Sequence, residues 1–219
     1  MKKTEKKAIS YMQLILTIVF IVTILICNIV TVKQIQLPFG LVMTGAAFLF
    51  PITYVLSDIF SEIYGYKWSR IVSYLGFAMN LFMVIIFTLV IIAPAPDYYA
   101  KQDALQTILG STPRVLLASL TAYMVGDFVN DRVFKRMKTK NPNSFKGFQF
   151  RAILSSLCGL IVDSSIFLPL AFLGVIPNKV LLTMMLSQVL IKISCEIILL
   201  PVTTLVVKKV DKHEKAIKI

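Results

Sequence analysis

The sequence predicts an all-α integral membrane protein of six transmembrane helices. Hydrophobic residues make up 57% of the 219 residues and charged ones only 16%, more apolar surface than a water-facing domain of this size can hide. The apolar residues gather into runs of about 20, the length that crosses a hydrocarbon core. The basic residues fall between those runs and mostly on one side of them, as the orientation rule for membrane proteins requires. Together the six runs form one domain over residues 1–219.

In chain order, Ile9 to Val32, Pro38 to Leu56 and Ile71 to Ala93 carry no charge at all. Pro113 to Phe134 contains Arg114, Asp127, Asp131 and Arg132. Ala152 to Leu173 holds one acid, Asp163, and Val180 to Val207 holds Lys192 and Glu196. The start "MKKTEKK" resembles a signal peptide, but the apolar run behind it is too long and lacks a small-residue cleavage site, so it is expected to stay as a helix. "SDIFSEIYGYKWSR" (57–70) reads as a loop between the second and third spans. The segment from Pro94 to Thr112 is expected to form a short interfacial helix or a lid.

With six spans both termini share a side. Of the 23 Lys and Arg residues, that side holds four before Ile9, two in the 57–70 loop, seven from Arg132 to Arg151 and five after Val207. The opposite side has Lys33, Lys101, Arg114 and Lys179, which puts both termini in the cytoplasm. The net charge of +12 is accounted for by this orientation, so no direct nucleic-acid partner is expected. Small residues such as Gly45, Gly76 and Gly159 suit close helix approach. Pro51, Pro169 and Pro201 are expected to kink their spans.

Cys27, Cys158 and Cys195 all lie in apolar runs, at spacings that suit neither a disulfide framework nor a zinc site. They read as small packing residues, and His213 reads as a solvated tail residue. There is no HExxH, GxSxG or Walker motif, and the surroundings of Asp127 and Asp163 lack the patterns of intramembrane aspartyl proteases. No enzyme activity, cofactor or metal is expected.

The charges inside spans need an explanation, since each costs on the order of 2.5–3.5 kcal/mol at mid-membrane. Lys192 and Glu196 are four apart and can pair on one helix face. That pair either glues helices or marks a ligand path, and Asp163 has the same two readings. Asn28 adds an amide to the first span, with Lys33 beyond it. Asp58 and Glu62 lie near the interface, where charge is cheap. An internal echo relates Tyr54, Asp58 and Glu62 to Tyr123, Asp127 and Asp131 at a constant offset of 69 positions.

"SDIFSEIYGYKWSR" resembles the signature of the queuosine-precursor transporter family, also called the YhhQ family, within the vitamin-uptake transporters. "NIVTVKQI" resembles the end of that family's first helix at Asn28 and Lys33. "YMVGDFVNDRVFKRMK" resembles its fourth helix, with Asp127 and Asn130. "RAILSSLCGLIVDSSIF" resembles its fifth, with Arg151, Ser155, Gly159 and Asp163, and "IKISCEIILLPVT" its sixth, with Lys192, Glu196 and Pro201. Leu160 departs from the Gln or Glu that relatives often carry there.

The resemblance implies a fold like the substrate-binding subunit of energy-coupling-factor importers. It also implies a secondary transporter of the inner membrane that imports 7-deazaguanine precursors of queuosine for tRNA modification. The alternatives are a substrate-binding subunit of an energy-coupling-factor vitamin importer, or a non-transporting scaffold. A deazaguanine offers adjacent N–H donors that one carboxylate accepts together. Asp163 and Glu196 are therefore the first binding candidates, with Asn28 reading the carbonyl edge, Lys192 holding a carboxylate charged, and Phe167 or Phe172 stacking on the ring. Lys33, Asp58, Glu62, Arg70, Asp127, Asn130 and Arg151 are expected to gate the path or couple it to protons. A homodimer is left open as the assembled form.

Overall fold

The computed structural model describes residues 9–140 and 145–217. Its helices are α1 (Tyr11–Val30), α2 (Phe50–Ile59), α3 (Tyr66–Ile92), α4 (Gln102–Leu109), α5 (Thr112–Lys140), α6 (Phe145–Phe172) and α7 (Asn178–Ile217). Two short strands, β1 (Gln34–Gln36) and β2 (Val42–Thr44), pair antiparallel between α1 and α2. Ser10 caps α1, accepting from the Gln13 backbone N–H, while the Gln13 side chain reaches back in a capping box.

Among the described residues, four helical stretches are long and apolar enough to cross a membrane: Tyr11–Val30, Tyr66–Ile92, Gln102–Asn130 and Asn178–Leu199. Leu157–Phe172 in α6 is a shorter apolar stretch. They leave large apolar side chains such as Leu14, Ile18 and Val22 on α1, and Leu81, Phe82 and Ile85 on α3, exposed on the outside of the bundle. Water would penalise that surface, whereas lipid solvates it.

The second expected span is corrected. Pro38 to Leu56 is not a continuous helix: it runs through a 3₁₀ turn (Pro38–Gly40), β2, a second 3₁₀ turn (Gly45–Phe48) and only then α2. Its sequence explains the break. Gly40 has φ +73, and a side chain at Gly45 would collide with the Val30 carbonyl. Pro51 stands in the first turn of α2, where its missing N–H costs nothing, so it starts a helix where a kink was expected. The freed backbone groups find partners: the hairpin pairs with itself, Gly45 N–H donates to Lys33 O at 2.7 Å, and Val42 N–H donates to Ser187 Oγ on α7 at 3.3 Å. Irregular backbone at membrane depth is tolerated when it is satisfied within the protein.

The 57–70 segment is not a loop either. α2 passes into a π-helical turn (Phe60–Tyr64), the chain reverses at Gly65 (φ +85), and α3 begins at Tyr66. α4 fulfils the expectation of a short helix before the fourth span. Pro169 and Pro201 lie within the unbroken assignments of α6 and α7.

Two apolar clusters hold the bundle at opposite ends. Val115, Ala118 and Ala122 of α5 pack with Phe167, Leu168 and Phe172 of α6 and Leu181 and Met184 of α7. At the other end Phe20, Leu56, Ile59, Phe60 and Val72 gather with Val210 of α7. There the buried Glu214 accepts from Ser10 Oγ at 2.5 Å and from the Tyr64 hydroxyl at 2.9 Å, tying the start of α1, the π-turn and the end of α7 together. Burial and the Glu214 contact push the Tyr64 phenol up, which keeps it protonated as the donor.

α5 and α6 make the most extensive helix pair. Gly126 and Gly159 face each other, so a Cβ on Gly126 would lie 3.1 Å from Gly159 O and 3.2 Å from Asp163 Cβ, and one on Gly159 would lie 3.0 Å from Gly126 O. Gly159→Val should therefore force the helices apart, at a cost of about 1–3 kcal/mol. The measurement is the thermal midpoint of detergent-purified protein: Gly159→Val should lower it clearly, whereas a valine at Gly174, where a Cβ meets nothing but the backbone has φ +79, should act through local strain at one turn only.

Candidate functional site: a charged path through the bundle

Between the two apolar clusters the interior is polar. Lys192 stands about halfway along α7 and is buried, so its charge requires a partner. That partner is Asp163 on α6, with Nζ 2.5 Å from Oδ2. Lys192 also lies 5.3 Å from the centroid of the Phe50 ring, within range of a cation–π contact. The close α5–α6 crossing at Gly126 and Gly159 places Asp163, one helical turn beyond Gly159, where α7 can reach it.

Two cavities meet at this pair. The upper one, about 160 Å³, includes Asn28, Thr44, Asn80, Phe167 and Gln188 in its wall, together with Phe50, Asp163 and Lys192. The lower one, about 430 Å³, runs towards the Glu214 end of the bundle past Tyr54, Asp58, Tyr123, Asp127 and Asn130, and shares Phe50, Asp163 and Lys192 with the first. A third basin of about 720 Å³ continues from Asp58 past Glu62 to Lys208 and Asp211.

The upper cavity presents unsatisfied acceptors. Asn28 donates through Nδ2 to Asn80 Oδ1 at 3.0 Å, and Asn80 donates in turn to the Gly76 carbonyl at 3.0 Å. The buried atoms Asn28 Oδ1, Gln188 Oε1 and Thr44 Oγ1 have no hydrogen-bond partner among the described residues. Buried polar atoms are nearly always paired, so unpaired ones that share a cavity wall point to something that enters it. One N–H of the Asn28 amide is engaged by Asn80, and its oxygen is the end without a partner among the described residues.

The structure brings together part of the predicted set. Asn28, Asp163, Lys192 and Phe167 line the upper cavity, and Asp58, Asp127 and Asn130 the lower. Among the described residues, Lys192 pairs across helices with Asp163. Arg70 pairs with Asp127 at 2.8 Å, joining α3 to α5 through two of the residues expected to gate the path. Phe172 packs edge-on against Phe167 in the apolar cluster and lines neither cavity. Lys33 is exposed at the turn after α1, away from both. Glu196 and Arg151 fall on α7 and α6, and their side chains lie outside the described residues.

The two copies of the internal echo converge: Tyr54 and Asp58 from α2 face the same lower cavity as Tyr123 and Asp127 from α5. Leu160, the departure from the family pattern, lines it too. Asn80, Gln188, Thr44 and Phe50 were not singled out from the sequence. Asn80 is the only amide in the third apolar run, and Gln188 the only one in the sixth. A lone amide in a membrane span was the available signal.

Asp58 opens onto the lower cavity and the basin and keeps an exposed side chain there, with protein atoms around it. Burial, with Glu62 one turn on, pushes its carboxyl up to about 6 from an ordinary value of 3.8. Asp127, Asp163, Lys192, Lys208 and Asp211 line the same two spaces.

The fold and this interior define a helical membrane protein with a polar path of transporter type. Residues 44–206 match the family described as "Putative vitamin uptake transporter", and the chain belongs to that family. Over 189 residues it is 29% identical to the "Probable queuosine precursor transporter" of Bacillus subtilis (strain 168), a match that spans 86% of this chain and 82% of that protein. No solved structure is significantly similar to it.

Because the Asp58 pKa is raised on folding, its contribution to stability is fully present below about pH 4 and is lost as pH rises through about 6. Asp58→Asn should thus match the wild type in thermal midpoint near pH 4 and exceed it increasingly up to about pH 7. A difference that does not vary over that range would show that Asp58 does not titrate there.

Proposed function

We propose that this protein is a secondary transporter that imports 7-deazaguanine precursors of queuosine across the inner membrane, with both termini in the cytoplasm. The observation that carries the reading is the upper cavity, where a carboxylate and three unpartnered polar oxygens surround a space between helices. A 7-deazaguanine carries N–H donors on more than one edge, which is the complement of such a wall. The named relative and the family membership support the same substrate class.

Size matters to the mode of binding. A cavity of about 150 Å³ admits one benzene ring, so the 160 Å³ upper chamber takes one ring of a bicyclic ligand. The second ring would extend past Asp163 towards the larger chamber, with Phe50 beside it. N–H donors from the ligand then compete with Lys192 for the Asp163 carboxylate, which links occupancy to the position of α7.

The chain crosses the membrane six times in this reading, the second crossing being the broken segment from Pro38 to Leu56, which ends in α2, and forms a single domain. The Arg70–Asp127 pair, whose acid lines the lower chamber, acts as the inner gate in this reading and parts for inward release. Asp58, at the junction of chamber and basin, is the group placed to exchange a proton with the cytoplasm. No residue is assigned a chemical step on the ligand.

The test is complementation in cells that neither make queuosine nor carry their own importer, supplied with each precursor at low concentration. Expression of this chain should restore queuosine in tRNA. Asp163→Asn should reduce uptake at least tenfold while the protein still reaches the membrane. Failure to rescue with any precursor would refute the substrate class, and normal uptake by Asp163→Asn would refute the site.

A further inference from the structure

The polarity of the upper cavity is set by a relay that begins at a backbone carbonyl. Gly76 O can only accept, so the Asn80 atom 3.0 Å from it is the amide nitrogen. Asn80 Oδ1 therefore faces Asn28, and the Asn28 atom 3.0 Å away must be its nitrogen. Amide orientations are often ambiguous because N and O are alike in size, but here a fixed acceptor at one end orients both side chains in turn. Asn28 Oδ1 is left buried and, among the described residues, unpartnered, on a side chain that lines the cavity.

We infer that Asn80 is a specificity-determining positioning residue: through Gly76 it locks the Asn28 amide with its oxygen towards the ligand, so that the cavity demands an N–H or O–H at that point. Each end of the Asn80 amide makes one bond in this relay, so its task in it is to orient Asn28. Without it the Asn28 amide can turn over and offer either end, so a ligand presenting an acceptor is no longer rejected. The inference rests on the cavity being the binding site proposed above, but not on the ligand being a 7-deazaguanine.

The experiment measures equilibrium binding of 7-cyano-7-deazaguanine to purified protein, alongside three analogues that each lack one donor: without the 2-amino group, methylated at N1, and methylated at N9. In the wild type at least one analogue should bind about tenfold or more weakly, because it leaves the Asn28 oxygen unpaired. Asn28→Ala and Asn80→Leu should both abolish the penalty for that same analogue, with the other two ratios little changed. Asn80→Asp should retain it, because a protonated carboxyl still donates to Gly76 and accepts from Asn28. Asn80→Ala repeats the test should the leucine variant not fold.

A penalty that survives in Asn28→Ala and in Asn80→Leu or Asn80→Ala overturns the inference, as does an equal loss of affinity for all four ligands, which is the mark of a merely structural role. A wild type that tolerates every analogue also overturns it. If the wild type instead binds guanine or a pterin and no deazaguanine, the proposed substrate falls, and the same donor-deletion ratios on that ligand decide the relay.

Discussion

A lysine halfway along a membrane helix must have a counter-charge, and much of this structure follows from how that requirement is met. Lys192 finds Asp163 on the neighbouring helix. Asp163 reaches it because Gly126 and Gly159 let α5 and α6 approach so closely that a Cβ at either position would lie only 3.0–3.2 Å from the facing helix. The Phe50 ring, at the start of α2, lies 5.3 Å from the lysine nitrogen. The pair thus organises four helices around one point, and the two chambers open on either side of it. Charges in a membrane interior are expensive, and a pair confined to gluing helices would not require cavities above and below.

The broken second segment is the other departure from a simple bundle. Its hairpin and 3₁₀ turns expose backbone groups that a helix would satisfy internally, and the structure meets them with paired strands and with Ser187 of α7. In return the segment brings Thr44 and Phe50 to the cavity wall, which a regular helix over the same residues would not do in the same way. Membrane proteins concentrate irregular backbone where it lines an interior space, and this segment fits that pattern.

The sequence revealed the apolar runs and the charges within them, because both rest on strong, local free energies. α1, α3, α5, α6 and α7 cover five of the expected spans, and Asp163, Lys192, Asn28 and Asp127 line the path. Pairing was less legible. Helical spacing offered Lys192 a partner in Glu196 but could not reveal Asp163, which lies across an interface whose geometry depends on two glycines far away in sequence. The same limit hid Arg70–Asp127. Hydropathy could not separate a helix from a hairpin over Pro38 to Phe48, since both bury apolar side chains and only the backbone differs. Asn80 was legible in kind, as a lone amide among apolar residues, but its task depends on Gly76 and Asn28 and emerges only from their contact.

The most direct measurement is a structure determined with a 7-deazaguanine precursor bound at saturating concentration. The account predicts ligand density in the upper chamber, with ring N–H groups on Asp163 and on Asn28 Oδ1 and the second ring extending beside Phe50. A ligand seated in the basin between Glu62 and Asp211, or upper-chamber density that touches neither Asn28 nor Asp163, would contradict it.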